Sequence, residues 1–295
     1  MRNNKSFTLI ELLVVIVIIG ILAGVIMIYT SSSIDKANIA KVKVFEESMR
    51  NNMILNLIME FSFDNVQGSS APYSTNDHWS NKNMNLYYYS STTSPFSISN
   101  NCSFSGVYSC PQLLEEKECI KGKCFNFNFS NHPFIELPSV DKIQFKNGQS
   151  WTISSWIKIF TSSGVRYIGT RGTNNYLGIN SNNTFKFRNS SGTIFTSSNS
   201  LSKVRDKNWH LVTWVSDGNG NIFVYVDSIL EANIVIDNNE FAFNNVGQAY
   251  TSSTSIGGHF LGHMDELKIY DRALSQASIK KIYVLGLNSM QAQKE

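Results

Sequence analysis

Proline is scarce, with five in 295 residues and none before Pro72, so nothing of that kind interrupts a helix over the first quarter of the chain. Charge is scarce too. Asp, Glu, Lys and Arg make up 16% of the residues and the formal net charge is +3. So little charge argues against a coiled coil or a soluble helical bundle. It also leaves no basic stripe, so nucleic acid is not expected as the main partner. Neither a G-x-S-x-G elbow nor an H-E-x-x-H helix occurs, which removes two common hydrolase signatures.

Apolar and small polar residues are plentiful. Hydrophobic residues reach 42%, enough for a sizeable core. Asn and Ser number 33 and 40, and both favour turns over helix interiors, which points to a strand-and-turn protein.

The apolar residues are unevenly placed. From Leu12 to Ile34 there is no charged side chain, and Leu12 to Tyr29 is apolar throughout. As a helix, that run would be roughly 27 Å long, close to the thickness of a bilayer's hydrocarbon core. Arg2 and Lys5 precede it, which orients the amino end to the cytoplasm and the rest outside. Glu11 stands at the start of the run, where a lipid-buried carboxylate costs about 2–3 kcal/mol and calls for a partner. Beyond it, Ile39, Val42, Phe45, Met49 and Met53 recur at spacings of three and four, predicting an amphipathic continuation.

The segment Lys5-Ser6-Phe7-Thr8-Leu9-Ile10-Glu11-Leu12 closely resembles the processing motif of type IV prepilins and pseudopilins. The resemblance implies cleavage by a prepilin peptidase between Ser6 and Phe7 and N-methylation of Phe7. It also implies that Glu11 pairs with a neighbouring pilin subunit's N-terminus during assembly. Two positions depart from the pattern: Ser6 stands where glycine is usual, and the proline that often bends the family's helix near Ile28 is absent. The implied location is the cytoplasmic membrane, single-pass with the C-terminal part outside, and then a cell-surface filament.

Beyond residue 57 the helical period gives way to short β-branched and aromatic runs separated by Asn, Ser and Gly. Strands are expected at Leu57–Phe63, Cys124–Phe129, Thr152–Ile159, Tyr176–Ile179, Thr184–Arg188, His210–Val215, Asn221–Val226 and His263–Tyr270. Asn221–Val226 is apolar on both faces, as for a strand buried on both sides. Several blocks in order are similar to laminin-G-like, concanavalin A-like jelly rolls. They are Met59 to Asp64, Lys123 to Phe127 with Phe134 to Pro138, Trp151 to Lys158, Asn208 to Val212, Val224 to Asp227, and Phe260 to Tyr270. Ser228 replaces the glycine that usually follows Asp227.

The expected fold is therefore mainly β: an antiparallel jelly-roll sandwich preceded by one long N-terminal helix whose first half is transmembrane. The expected division is a cytoplasmic leader (1–6), the pilin-like helix (7–56), the jelly roll (57–285) with a Cys-containing insert (66–123), and a tail (286–295).

The resemblance raises calcium as a cofactor, with Asp64 and Asp265 as ligands. The residues alone equally allow Asp265 to orient a loop and Asp64 to begin a turn. Cys102, Cys110, Cys119 and Cys124 fit no zinc-knuckle spacing, and outside the cell two disulfides are expected. Three pairings are open, with Cys102–Cys110 and Cys119–Cys124 preferred. Tyr87-Tyr88-Tyr89 in the insert is equally compatible with an exposed or a packed position. Glucanases of this architecture carry an E-x-D-x-x-E strand motif, absent here. Strand alternation would also send Asp265 and Glu266 to opposite faces, so no enzyme is expected. His210 is expected to be a packed sandwich residue. Two functions stay open: a minor pilin or pseudopilin whose head binds a glycan or an extracellular protein, and a structural pseudopilin of a secretion or DNA-uptake filament.

Overall fold

The computed structural model describes residues 9–10, 12–22, 44, 56–64, 66–67, 74–76, 83–91, 97–99, 111–127, 133–136, 143–161, 166–171, 175–198, 202–247, 251–252, 255–256 and 259–293. The chain divides into two units, Met1–Leu55 and Asn56–Glu295.

In the first unit residues 12–22 are helical and their side chains are exposed, from Leu12 through Ile16 and Ile19 to Leu22. A helix that is apolar all round has no solvated face of its own. Among the described residues no helix is long and apolar enough to cross a membrane. Ser6, Phe7, Glu11 and the rest of the apolar run beyond Leu22 lie outside the described residues.

The second unit is a sandwich of two antiparallel sheets. The first runs Ile229–Val235, Asn221–Val226, His210–Ser216, Trp151–Ile159, Gly262–Tyr270, Cys124–Asn126, Gln112–Leu114, and Leu57–Phe61 also pairs with Gly262–Tyr270. The second runs Ile194–Thr196, Phe185–Arg188, Asn175–Ile179, Arg166–Arg171, Asn245–Val246, Phe134–Glu136, Asn83–Ser91, Ser74–Asn76, Val66–Gln67, and Ser97–Ser99 also pairs with Asn83–Ser91. The predicted strands from Leu57 to Tyr270 fall on these elements.

Alternation in the strands builds the core. Trp151, Ile153, Ile157, Val212, Trp214, Leu267 and Ile269 of the first sheet meet Leu177, Ile179, Phe185 and Phe187 of the second. Trp151 packs between Phe145, Phe241 and Phe187, with ring centroids 5.7, 5.6 and 6.1 Å away. Such ring pairs each add about 0.5–1.5 kcal/mol beyond the area they bury. In Asn221–Val226 the residues Ile222, Val224 and Val226 are buried, whereas Phe223 and Tyr225 are half-buried. Only one face of that strand meets the core, so the two-sided burial expected from its composition is not found.

The opposite face of the first sheet is covered as well. Trp156, Leu211, Val215 and Tyr270 are buried there, outside the core cluster, beneath the helix Gln276–Ala292. That helix starts at Ser275, whose side chain accepts from the Ser278 N–H at 3.2 Å. Its Ile279 and Ile282 are buried and its Tyr283 stacks on Trp156 with centroids 5.5 Å apart. Gly286 allows the close approach, because a Cβ there would sit 2.5 Å from Trp156 Cζ2. Thr152 Oγ1 donates to the Arg272 carbonyl and accepts from Leu274 N–H, fixing the chain just before the helix.

Two expected divisions differ from the structure. The proposed break after residue 285 falls inside this helix, which continues to Ala292. The supposed insert 66–123 is part of the sandwich: it supplies four strands to the second sheet and Gln112–Leu114 to the first. The Ser and Asn around these short strands favour turns, which is why they read as decoration.

Candidate functional site

Asp64 and Asp265, the calcium candidates, converge on one short loop. Cys119 and Cys124 form a disulfide that closes it, and their Cα atoms are 5.5 Å apart. The buried Asp265 carboxylate accepts from three backbone N–H groups: Ile120 at 2.9 Å, Lys121 at 3.1 Å and Glu266 at 2.8 Å. Asp64 Oδ1 accepts from Lys123 N–H at 2.7 Å. Gly122 fits because a Cβ would overlap the Asp64 carboxylate, and its N–H donates to Gln293 Oε1 at 2.5 Å. Burial pushes both carboxyls up, and the Glu266 charge adds to the rise at Asp265, while the N–H donors oppose it.

This donor set does not fit calcium, which takes six to eight oxygen ligands. The carboxylates are engaged by N–H groups, and among the described residues no group of three or more His, Cys, Asp or Glu could hold a metal ion. What the two acids do here is hold a loop. Cys102 and Cys110 lie outside the described residues.

Asp265 and Glu266 do not alternate. The register shifts between Ser154 and Trp156, and Glu266 has φ 48°, so a bulge occupies the strand. Glu266 pairs with Lys268 at 2.8 Å, and Lys268 also reaches Glu60 at 3.1 Å. Burial alone would lower the Lys268 ammonium, but Glu266 and Glu60 outweigh it and hold it well above its usual value. These acids are structural ion-pair partners rather than a carboxylate pair facing a cleft.

His210 is buried between two carboxylates, with Nδ1 2.8 Å from Asp227 Oδ2 and Nε2 3.0 Å from Asp206 Oδ1. Burial would lower its pKa, yet the two hydrogen-bonded acids raise it. Asp227 also accepts from Leu211 N–H at 3.0 Å and opens the turn to Ile229–Val235. Asp227 and Ser228 there have φ 52° and 70°, the left-handed pair that a tight hairpin requires.

A third feature lies where the C-terminal helix stops covering the first sheet. Register pairs Gln112 with Asn126, Asn126 with His263 and His263 with Lys158, on adjacent strands. Their neighbours Phe125, Met264 and Ile157 are in the core, so this row faces outward. Trp209 precedes the next strand, and its ring lies 6.0 Å from that of His263, with its N–H donating to the Glu118 carbonyl at 3.0 Å. Phe160 meets His263 edge-on at 4.5 Å and lies under Lys158 Nζ at 5.8 Å. Gln112, Asn126, Lys158, Phe160 and Trp209 are half-exposed. His263 is buried beneath the rings, its Nδ1 has no hydrogen-bond partner, and burial together with Lys158 lowers its pKa to about 4. Sequence reasoning missed this row because strand register brings it together. The one available signal was the continuation of the Trp151 to Lys158 block into Phe160.

Tyr87-Tyr88-Tyr89 lies on the strand Asn83–Ser91, and the side chains of the triplet are outside the described residues.

Residues 129–280 match the family described as the concanavalin A-like lectin/glucanases superfamily, and residues 1–27 match the prokaryotic N-terminal methylation motif. No curated protein matches the chain. Among solved structures, domain 4 of an extracellular GH43 arabinanase from Geobacillus stearothermophilus, in complex with arabinotriose, is 16% identical with a TM-score of 0.51. That match covers 77% of this chain and 98% of the other. The binding domain of Paraclostridial Mosquitocidal Protein 1 is 14% identical with a TM-score of 0.46, over 77% of this chain and 52% of that one. The binding domain of botulinum neurotoxin serotype D is 16% identical with a TM-score of 0.45, over 78% of this chain and 51% of that one. The chain spans about half the length of the latter two.

Proposed function

We propose that this chain, which belongs to the concanavalin A-like lectin/glucanases superfamily, is a minor pilin or pseudopilin-like surface protein whose head binds carbohydrate or an extracellular protein. The observation that carries the proposal is the joining, in one chain, of an N-terminal methylation motif to a lectin-like sandwich. The motif supports processing by a prepilin peptidase, anchoring in the membrane and assembly with other pilins. The lectin-like sandwich is compatible with a binding head, but fold alone hosts many activities and the site must decide among them. Its buried acids hold a loop and an ammonium group, which is not the arrangement of a hydrolytic carboxylate pair.

The test is a broad glycan array and a panel of matrix proteins, probed with the full chain in detergent. Saturable binding to members of one class is expected. A full chain that enters filaments yet binds neither glycan nor matrix protein would leave the head a structural one.

A further inference from the structure

We propose that the row Gln112, Asn126, His263, Lys158 and Trp209, with Phe160 beside it, is the head's binding platform for a saccharide that carries a carboxylate. The inference rests on the carbohydrate-binding reading above and gives that reading a place and a chemistry.

The outer sheet face is not covered evenly: the helix's C-cap Gln293 bonds the loop 116–122, on which Trp209 rests. Trp156 lies under Tyr283 and Gly286 of the helix, but Lys158, one step outward on the same strand face, is half-exposed. The row crosses five adjacent strands or strand ends, about 19 Å at roughly 4.8 Å per strand, long enough for an oligosaccharide. One end offers two half-exposed amides, in which Asn126 Nδ2–H donates to Gln112 Oε1 at 3.5 Å, and a side-chain amide has further donor and acceptor capacity for hydroxyl groups. The other end offers the rings of Trp209 and Phe160, which pack against the apolar C–H faces of a sugar.

Charge selects the occupant. Lys158 carries the only full charge of the row; its ammonium lies over the Phe160 ring and its charge acts on His263. His263 is buried beneath the rings and stays neutral near pH 7, so it adds no charge to the row. A carboxylate meeting the Lys158 ammonium makes a charge-assisted hydrogen bond, stronger than any the amides form with neutral hydroxyls.

The experiment measures binding of a galacturonate trisaccharide and the corresponding galactose trisaccharide to the full chain in detergent, by calorimetry. The acidic sugar should bind at least about tenfold more tightly than the neutral one, the scale of one charge-assisted hydrogen bond. Lys158→Gln should abolish that preference. Trp209→Ala should weaken both by about tenfold or more, and Trp209→Phe should retain most of the binding, since ring stacking survives. Trp209→Phe also covers the case in which losing the indole N–H to Glu118 disturbs the fold, which thermal melting would reveal. Wild-type affinity in both Lys158→Gln and Trp209→Phe, together with unaltered binding by a folded Trp209→Ala, would move the site elsewhere and leave carbohydrate binding standing. Equal affinity for the two trisaccharides, or none for either, overturns the acidic occupant. Binding to no member of a broad glycan array would overturn the underlying carbohydrate reading itself.

Discussion

Replacing Asp265 by Ala should be among the most damaging single changes in the head. The carboxylate is fully buried and is the acceptor for the N–H groups of Ile120, Lys121 and Glu266. Alanine leaves these donors without that acceptor, and each orphaned buried donor costs about 1–3 kcal/mol. A loss of about 3–5 kcal/mol is expected even if one donor finds water, against a typical domain stability of roughly 5–15 kcal/mol. Asp265→Asn keeps the shape and one acceptor oxygen. With that oxygen turned to Ile120 and Lys121, only Glu266 N–H faces an amide, so about 1–3 kcal/mol is expected. The assay is guanidinium unfolding of the full chain in detergent, followed by the fluorescence of the buried Trp151, Trp156 and Trp214. It is run in calcium and in chelator, and the midpoints should coincide because the carboxylate serves backbone N–H groups. An Ala variant within about 1 kcal/mol of wild type would refute the argument, being smaller than the cost of one orphaned donor. So would a wild-type protein stabilised by calcium when Asp265→Asn is not.

Two histidines should shape the pH dependence of stability in opposite directions. The folded-state pKa of His210 is raised, so its stabilisation is fully present below the unfolded value near 6.5 and is lost as pH rises through the folded value. His263 is lowered to about 4, so stability falls as pH drops from about 6.5 towards 4, by up to roughly 3 kcal/mol. Unfolding midpoints from about pH 4 to well above 6.5 should show His210→Gln flattening the limb above 6.5 and His263→Gln the limb below it. A limb unchanged by its own substitution would contradict the assignment. Ser228→Gly should stabilise the head by up to about 1 kcal/mol, because φ 70° strains serine and not glycine, and a lower melting temperature would contradict this. Glu11→Ala should leave membrane insertion intact and reduce filament incorporation, read by quantifying the protein in sheared filaments; normal incorporation would remove the assembly role of Glu11.

The legible parts of the fold were those where side-chain period and environment agree. Trp151–Ile159 reads as a strand because Trp151, Ile153, Ile157 and Ile159 on its inward face are aromatic or β-branched, and Trp156 on the other face has its own cover in Tyr283. Cys119–Cys124 belonged to the preferred one of three pairings that the sequence left open, and the structure shows that bond. Asn83–Ser91 and Ser97–Ser99 were not recognised as strands although Asn83-Met84-Asn85-Leu86 and Ser97-Ile98-Ser99 alternate, because the Ser and Asn around them favour turns and only pairing places them in a sheet. The bulge at Glu266 was equally hidden: one residue at positive φ, fixed by tertiary contacts, reverses an argument built on strict alternation. The outer row was hidden because Gln112, Asn126, His263, Lys158 and Trp209 are far apart in sequence and adjacent only through register. Asp64 and Asp265 stood out as acids, but their partners are backbone N–H groups, which leave no mark on a sequence.

The filament assignment rests on how the N-terminus is processed, and the mass of the mature N-terminal peptide from assembled filaments tests it most directly. The account predicts a chain that begins at Phe7 with a methylated amine and keeps the apolar helix that follows. A peptide retaining Met1, or one beginning beyond Gly24 as after signal-peptide removal, would contradict it.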